Sequence, residues 1–172
     1  MKKLFAIVLA LCLLASCALA DGPEAELNWA DYDTEENQSL GQTQVLTIPD
    51  ICSLYFWVPT SVMNTVDVSS LGGAAGYQTD DGVYSLFVSV LNVTSLEDYL
   101  TQQQANGTDN FHYVTTNGID CVSGENEANG VDLLVIPVTE TMVAVFAFTP
   151  LHGDETWDHY KAVMVASIRV AE

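Results

Sequence analysis

Five segments of strand length are rich in apolar, β-branched and aromatic residues, and polar turn residues separate them. Such composition and length favour β-strands. The Asx-Gly pairs between the segments favour tight hairpins and therefore antiparallel neighbours. The pattern predicts a largely antiparallel sheet with strands at Val45 to Ile48, Leu54 to Val58, Val83 to Leu91, Val131 to Val138 and Met142 to Phe148.

Two segments have helical periodicity instead. Thr94 to Glu97 matches a capping box, and the helix that follows is predicted to stop at Asn106-Gly107. A second helix is predicted from about Asp154 to about Ser167, because a carboxylate suits a helix N-terminus. Its apolar stripe, which is expected to pack on the sheet, comprises Trp157, Tyr160, Met164 and Ile168.

The order of these elements resembles the PsbP-like family, which is named for a photosystem accessory protein. The features that carry the resemblance span about residues 45 to 170: a strand ending in proline at Leu54 to Pro59, a strand leading into a helix at Tyr84 to Leu100, Asn117-Gly118-Ile119 at a strand start, and the closing helix Tyr160 to Ile168. The resemblance implies an α+β fold, an α-β-α sandwich whose antiparallel sheet is flanked by helices. It also implies a non-catalytic accessory or binding module, and it carries no catalytic residue onto this chain.

The first twenty residues have the pattern of a signal peptide. Lys2 and Lys3 precede the apolar run Leu4 to Ala15, and Ala18-Leu19-Ala20 forms a small-residue cleavage site before Asp21. The short basic start is typical of bacteria. We therefore expect a secreted or extracytoplasmic bacterial protein with no transmembrane segment in its mature chain.

A second processing site lies inside the same segment. Leu14-Ala15-Ser16-Cys17 resembles the lipobox of bacterial lipoproteins, in which the cysteine is lipidated and anchors the mature chain to a membrane. Soluble release before Asp21 is favoured, since apolar character continues through Ala20 and no Gly/Ser tether follows Cys17.

Residues 21 to 44 are acidic and poor in apolar side chains, which predicts an N-terminal arm docked by Trp29 and Tyr32. Residues 45 to 172 are expected to form a single α+β domain. All 23 acidic residues lie outside the signal segment, but only two of the four basic ones do, Lys161 and Arg169. So acidic a chain is expected to be repelled by nucleic acid and anionic membrane surfaces, while the acidity itself names no ligand.

Few side chains in the sequence suggest chemistry. Cys52 and Cys121 follow the signal segment, and two thiols in an oxidising compartment permit one disulfide, with two buried free thiols as the alternative. His152, Glu155 and His159 are candidate metal ligands, because Glu155 and His159 stand four residues apart on one helical face. Helix capping is the favoured explanation of the acidic residues, because neither HExxH nor a finger spacing is present.

Two functions follow from these features. The favoured one is an exported, non-catalytic binding or accessory module of the bacterial cell envelope or medium, with no cofactor and an unknown extracellular or envelope partner. The alternative is a metal-dependent hydrolase that uses His152, Glu155 and His159.

Overall fold

The computed structural model describes residues 25 to 171. The chain forms eleven strands and three α-helices in that range, with single 3-10 turns at Trp29–Asp31 and Ser69–Leu71. The helices are α1 (Glu35–Leu40), α2 (Leu96–Ala105) and α3 (Glu155–Ala166). The strands are β1 (Ala25–Leu27), β2 (Gln42–Ile48), β3 (Cys52–Val58), β4 (Met63–Thr65), β5 (Ala75–Thr79), β6 (Ser85–Asn92), β7 (Asp109–Thr116), β8 (Ile119–Asn126), β9 (Val131–Thr139), β10 (Met142–Thr149) and β11 (Arg169–Val170).

Eight strands form one large sheet in the order β1-β7-β8-β9-β10-β6-β5-β4. Every pair is antiparallel except β1 and β7, which run parallel with Ala25 opposite Val114. Asn117 and Gly118 alone connect β7 to β8, and both have positive φ, at 47° and 76°. That is the backbone of a type I′ hairpin, so this predicted turn is confirmed.

A smaller sheet has three antiparallel strands in the order β11-β3-β2. Its centre, β3, is the predicted strand at Leu54 to Val58. Its edge strand β11 follows α3, and Arg169 pairs with Tyr55. The strand after α3 is therefore hydrogen-bonded to the smaller sheet, which also contains the first two predicted strands.

Alternate residues of β9 and β10 contribute to two separate apolar clusters. Leu134, Ile136 and Phe146 face a core that also contains β3 and the buried side of α3. Val135 and Val145 face a second cluster that includes Tyr99 of α2. Because successive side chains of a strand point to opposite faces, α2 packs on one face of the large sheet, while α3 and the smaller sheet pack on the other.

Both predicted helices are confirmed, and the predicted cap is confirmed for α3 alone. Ser95 caps α2 by accepting a hydrogen bond from the backbone N of Asp98, one residue later than the capping box predicted. Asp154 caps α3 by accepting from the backbone N of Trp157 at 2.9 Å. Capping by these side chains satisfies backbone donors that the first helical turn leaves without a partner.

The predicted mixed fold with a large, mostly antiparallel sheet and helices is confirmed. The segment from residue 25 to residue 44 packs against it through Trp29, Tyr32 and Leu40. No helix within residues 25 to 171 is long and apolar enough to cross a bilayer.

Candidate functional site

A cavity of about 250 Å³ lies between α3 and the end of the large sheet formed by β1, β7, β8 and β9. One part of its wall is apolar and another part is polar. The apolar wall consists of Ala25, Leu27, Val114, Leu134, Phe148, Ala162 and Val165, and the polar wall of His112, Ser123, Asp132 and Lys161. We call it the α3 cavity. A largely apolar hollow with a few converging polar groups is the usual form of a small-molecule site.

Strand register brings the polar wall together. His112 of β7 lies directly opposite Ser123 of β8, and Ser123 lies opposite Leu134 of β9. Asp132 is two residues from Leu134 and therefore shares its face of the sheet. The Ser123 hydroxyl lies 3.5 Å from Asp132 Oδ1, at the outer limit of a hydrogen bond.

Lys161 of α3 completes the polar wall of the cavity. Its ammonium donates to the backbone oxygen of Leu151 at 2.7 Å and lies 3.6 Å from Asp132 and 3.4 Å from Asp158. The Lys161 side chain is only 14% exposed, so these contacts stand apart from the weak ion pairs of open surfaces.

The carboxyl of Asp132 has an environment unlike that of an exposed aspartate. Burial raises its pKa above the ordinary value, and the nearby Glu125 charge acts in the same direction. Lys161 and His112 oppose that rise. Perturbed acids of this kind cluster at functional sites, although structural ion pairs perturb them as well.

The metal candidates from the sequence have separate partners. His152 Nε2 lies 3.3 Å from Glu127 Oε1, whereas His159 Nε2 lies 3.3 Å from Asn37 Oδ1. Glu155 occupies the exposed first turn of α3. Within the part of the chain that the structure describes, no three His, Cys, Asp or Glu side chains form a group that could hold a metal ion.

Cys52 and Cys121 are both free thiols in the structure. Cys52 is partly exposed at the start of β3, and Cys121 is completely buried in β8. Burial raises the pKa of the Cys121 thiol to about 12, with a smaller effect from Asp120. The neutral thiol that results is a poor nucleophile. Cys17 and the signal segment lie outside the described residues.

Sequence reasoning missed the whole polar wall of the α3 cavity. His112 and Lys161 are far apart in the chain, and Asp132 lies inside a segment that reads as an apolar strand. The one available signal was Lys161 itself. It is one of two basic residues outside the signal segment, and a lone cation among so many acids favours contact with carboxylates.

No protein-family model matches the chain, and no curated protein matches it. Among solved structures, the chain is similar to the solution structure of cyanobacterial PsbP (CyanoP) from Synechocystis sp. PCC 6803. The identity is 14%, the match covers 75% of this chain and 92% of that chain, and the TM-score is 0.49. That protein carries the name of the family that the sequence resembles. A likeness of this degree says nothing about function, so the proposals below depend on the side chains of this chain alone.

Proposed function

We propose that the protein is an exported, non-catalytic binding or accessory module of the bacterial cell envelope or medium, built as an α-β-α sandwich, whose ligand occupies the α3 cavity. The observation that carries the proposal is the lining of the cavity, which combines seven apolar residues with four polar ones. An apolar body would be buried against residues such as Leu27 and Val114. A polar head would reach Ser123 and Asp132.

The state of the polar groups supports binding in preference to catalysis. The Lys161 ammonium is held by a backbone oxygen and two carboxylates, so its donors are engaged in contacts within the protein. His112 bonds through Nδ1 to the backbone oxygen of Asn110 at 3.0 Å. An activated serine nucleophile requires a hydrogen bond to a base such as histidine or lysine. Within residues 25 to 171, Ser123 has no hydrogen bond to either residue type.

Charge favours a particular kind of head group. Two carboxylates, those of Asp132 and Asp158, lie within 4 Å of the single ammonium of Lys161, and the charge of Glu125 acts on Asp132. The polar end therefore has an excess of acceptors and negative charge. A ligand with an apolar body and a hydrogen-bond-donating or cationic head suits it, and the acidity of the chain disfavours nucleic acid as a partner.

Export is part of the proposal and depends on the sequence. Intact-mass analysis of secreted material is expected to give a chain that begins at Asp21. A diacylglyceryl group on Cys17 would instead make the protein a membrane-anchored lipoprotein.

The hydrolase alternative would require His152, Glu155 and His159 to converge on one ion. Structural zinc sites use four protein ligands, and catalytic ones use three and keep one position open. The separate contacts of His152 with Glu127 and of His159 with Asn37 favour surface roles for both rings.

The α3 cavity can be tested with three probes that share a six-carbon chain: hexylamine, hexanol and hexanoate. Titration followed by amide NMR is expected to shift resonances of β7, β9 and α3, with hexylamine binding most tightly. Tighter binding of hexanoate would contradict the proposed head group. Absence of shifts at the cavity with all three probes would contradict the proposed site.

A further inference from the structure

Arg169 lies in a different part of the molecule and has an unusual environment for the only arginine of a very acidic chain. The ion pairs described within residues 25 to 171 use His152 and Lys161, and none uses Arg169. In the described residues its guanidinium makes one hydrogen bond, from Nη1 to the backbone oxygen of Ser167 at 2.9 Å. Two of its three nitrogens therefore have no acceptor in residues 25 to 171.

Two aromatic rings hold the guanidinium in place. Its central carbon lies 5.4 Å from the ring centroid of Tyr55 and 5.9 Å from that of Trp29. Both separations are within the range of cation–π attraction. The backbone of Arg169 is also paired with Tyr55 across β11 and β3. The charge is therefore positioned by the fold without help from a described carboxylate.

Arg169 lines an open cavity of about 570 Å³, which we call the Arg169 cavity. Its other lining residues are Tyr55, Asn117, Ile119 and Val170. The Asn117 side chain is already engaged, since it donates to the carbonyl oxygens of Ala166, at the end of α3, and Ile168, and accepts from the backbone N of Trp29. Arg169 is thus the charged residue of the lining that can recognise a ligand, and Ile119 and Val170 are apolar members of the same lining.

We propose that the Arg169 cavity binds a small organic carboxylate with an apolar or aromatic body. A planar guanidinium, most of whose N–H groups have no acceptor within residues 25 to 171, can match a carboxylate with two parallel hydrogen bonds. The aromatic and aliphatic walls suit the remainder of such a molecule. A singly charged carboxylate also meets less repulsion from the acidic surface than a doubly charged phosphate does. This site is separate from the α3 cavity and does not depend on it.

Benzoate is the test probe, and Trp29 provides the signal. Trp57 is 2% exposed and Trp157 is completely buried, whereas Trp29 is half-buried and borders the guanidinium. Saturable quenching of Trp29 fluorescence by benzoate is expected. A salt concentration of about 0.15 M shortens the Debye length to roughly 8 Å, so that distant acidic charges are screened while the contact pair is retained.

Variants assign the effect to Arg169. R169Q is expected to weaken benzoate binding about tenfold or more, because it removes a charge-assisted hydrogen-bond donor. R169K keeps the charge without the planar guanidinium, so we expect its affinity for benzoate to lie between those of R169Q and the natural chain. If R169Q does not fold, the affinity of R169K tests the role of the guanidinium. E140Q changes one exposed charge outside the Arg169 cavity and is expected to leave benzoate affinity unchanged.

Three results would overturn the proposal. Benzamide, which has the same body without the charge, could bind as well as benzoate. Inorganic phosphate could bind more tightly than benzoate, which would assign the site to another class of anion. R169Q and R169K could both bind benzoate with the affinity of the natural chain.

Discussion

The side-chain nitrogen of Asn117 lies 2.7 Å from the carbonyl oxygen of Ile168, so the β7–β8 turn is hydrogen-bonded to the chain just after α3. The same nitrogen is 2.7 Å from the oxygen of Ala166, and Asn117 Oδ1 accepts from Trp29 at 2.8 Å. One turn residue therefore connects the large sheet, the end of α3 and the N-terminal segment.

Replacing Asn117 tests that connection. N117G keeps a residue suited to the positive φ and removes four side-chain hydrogen bonds, of which the one to Thr116 is long at 3.4 Å, so we expect a loss of about 2 to 3 kcal/mol in the free energy of unfolding. N117A adds backbone strain of about 1 to 2 kcal/mol. The control N110G changes another asparagine with positive φ, whose side chain bonds the Glu125 carboxylate at the surface, and we expect less than about 1 kcal/mol. Equal losses for N117G and N110G in urea denaturation would contradict this account.

Helix α3 is expected to be indispensable for the core. Trp157 is fully buried, stacks on Tyr84 with ring centroids 4.8 Å apart, and donates from Nε1 to the oxygen of Pro150 at 2.8 Å. W157A should cost about 3 to 5 kcal/mol. Y160A removes a half-buried ring from the same helix and should cost less.

Truncation extends the same test. A chain that lacks residues 154 to 172 loses α3 and β11 together, and we expect no cooperative melting by circular dichroism. A truncated protein that keeps the melting transition of the full chain would place the core elsewhere.

The buried thiol of Cys121 predicts a loss of stability in alkali. Its pKa is raised from 9.0 to about 12, so folding holds the proton that the unfolded chain releases. The contribution of the Cys121 thiol to the free energy of unfolding is fully present below pH 9. From pH 9 towards pH 12 that free energy falls by about 1.4 kcal/mol per pH unit. Burial also raises the pKa of Tyr77 and Tyr99, which adds a fall in the same direction above pH 10.

C121A separates the cysteine from the tyrosines. Its cavity lowers stability at every pH, but the slope between pH 9 and pH 10 should become flatter than in the natural chain. Urea denaturation at pH 8, 9 and 10 measures both slopes, and equal slopes would show that Cys121 does not titrate as proposed.

The pairing of Cys52 with Cys121 stays a prediction, and counting thiols in oxidised, unfolded protein decides it.

The triple variant H152A/E155A/H159A tests the metal alternative. We expect it to keep the fold and to bind hexylamine in the α3 cavity as the natural chain does, because these side chains lie at the surface. Elemental analysis of natively purified protein is the companion measurement. One equivalent of zinc in the natural chain that disappears in the variant would replace the binding-module account with the hydrolase.

The elements that sequence predicts well are those with local signals. Asp154 and Ser95 begin helices because a short polar side chain caps the first turn, and this depends on only a few neighbouring residues. The buried strands β9 and β10 are long runs of β-branched and aromatic residues. Their assignment needs no knowledge of what packs on them.

The strands that sequence missed depend on distant partners. The glycine-rich sequence from Gly72 to Gly76 is typical of a flexible linker, yet β5 begins at Ala75. A Cβ on Gly76 would lie 2.4 Å from the Val68 side chain, so the glycine marks a close approach within the fold. β7 is mostly polar and alternates weakly, which hides it from a search for apolar runs.

The α3 cavity could not be predicted for a related reason. The register of three strands brings His112, Ser123 and Asp132 together, and Lys161 belongs to α3, a helix that comes later in the sequence. No local spacing encodes that meeting. The three metal candidates stood close in sequence, and the fold gave two of them different neighbours.

Occupation of the α3 cavity is the central claim, and one pair of variants tests it directly. Leu27 lines the cavity and Glu26, its neighbour in β1, points to the opposite face. L27W should fill the cavity, whereas E26W adds the same ring outside it. With hexylamine at a hundredfold excess over its Kd, we predict that the natural chain and E26W each gain about 2.7 kcal/mol of stability in urea denaturation, while L27W gains none. Equal gains for L27W and E26W would contradict the account.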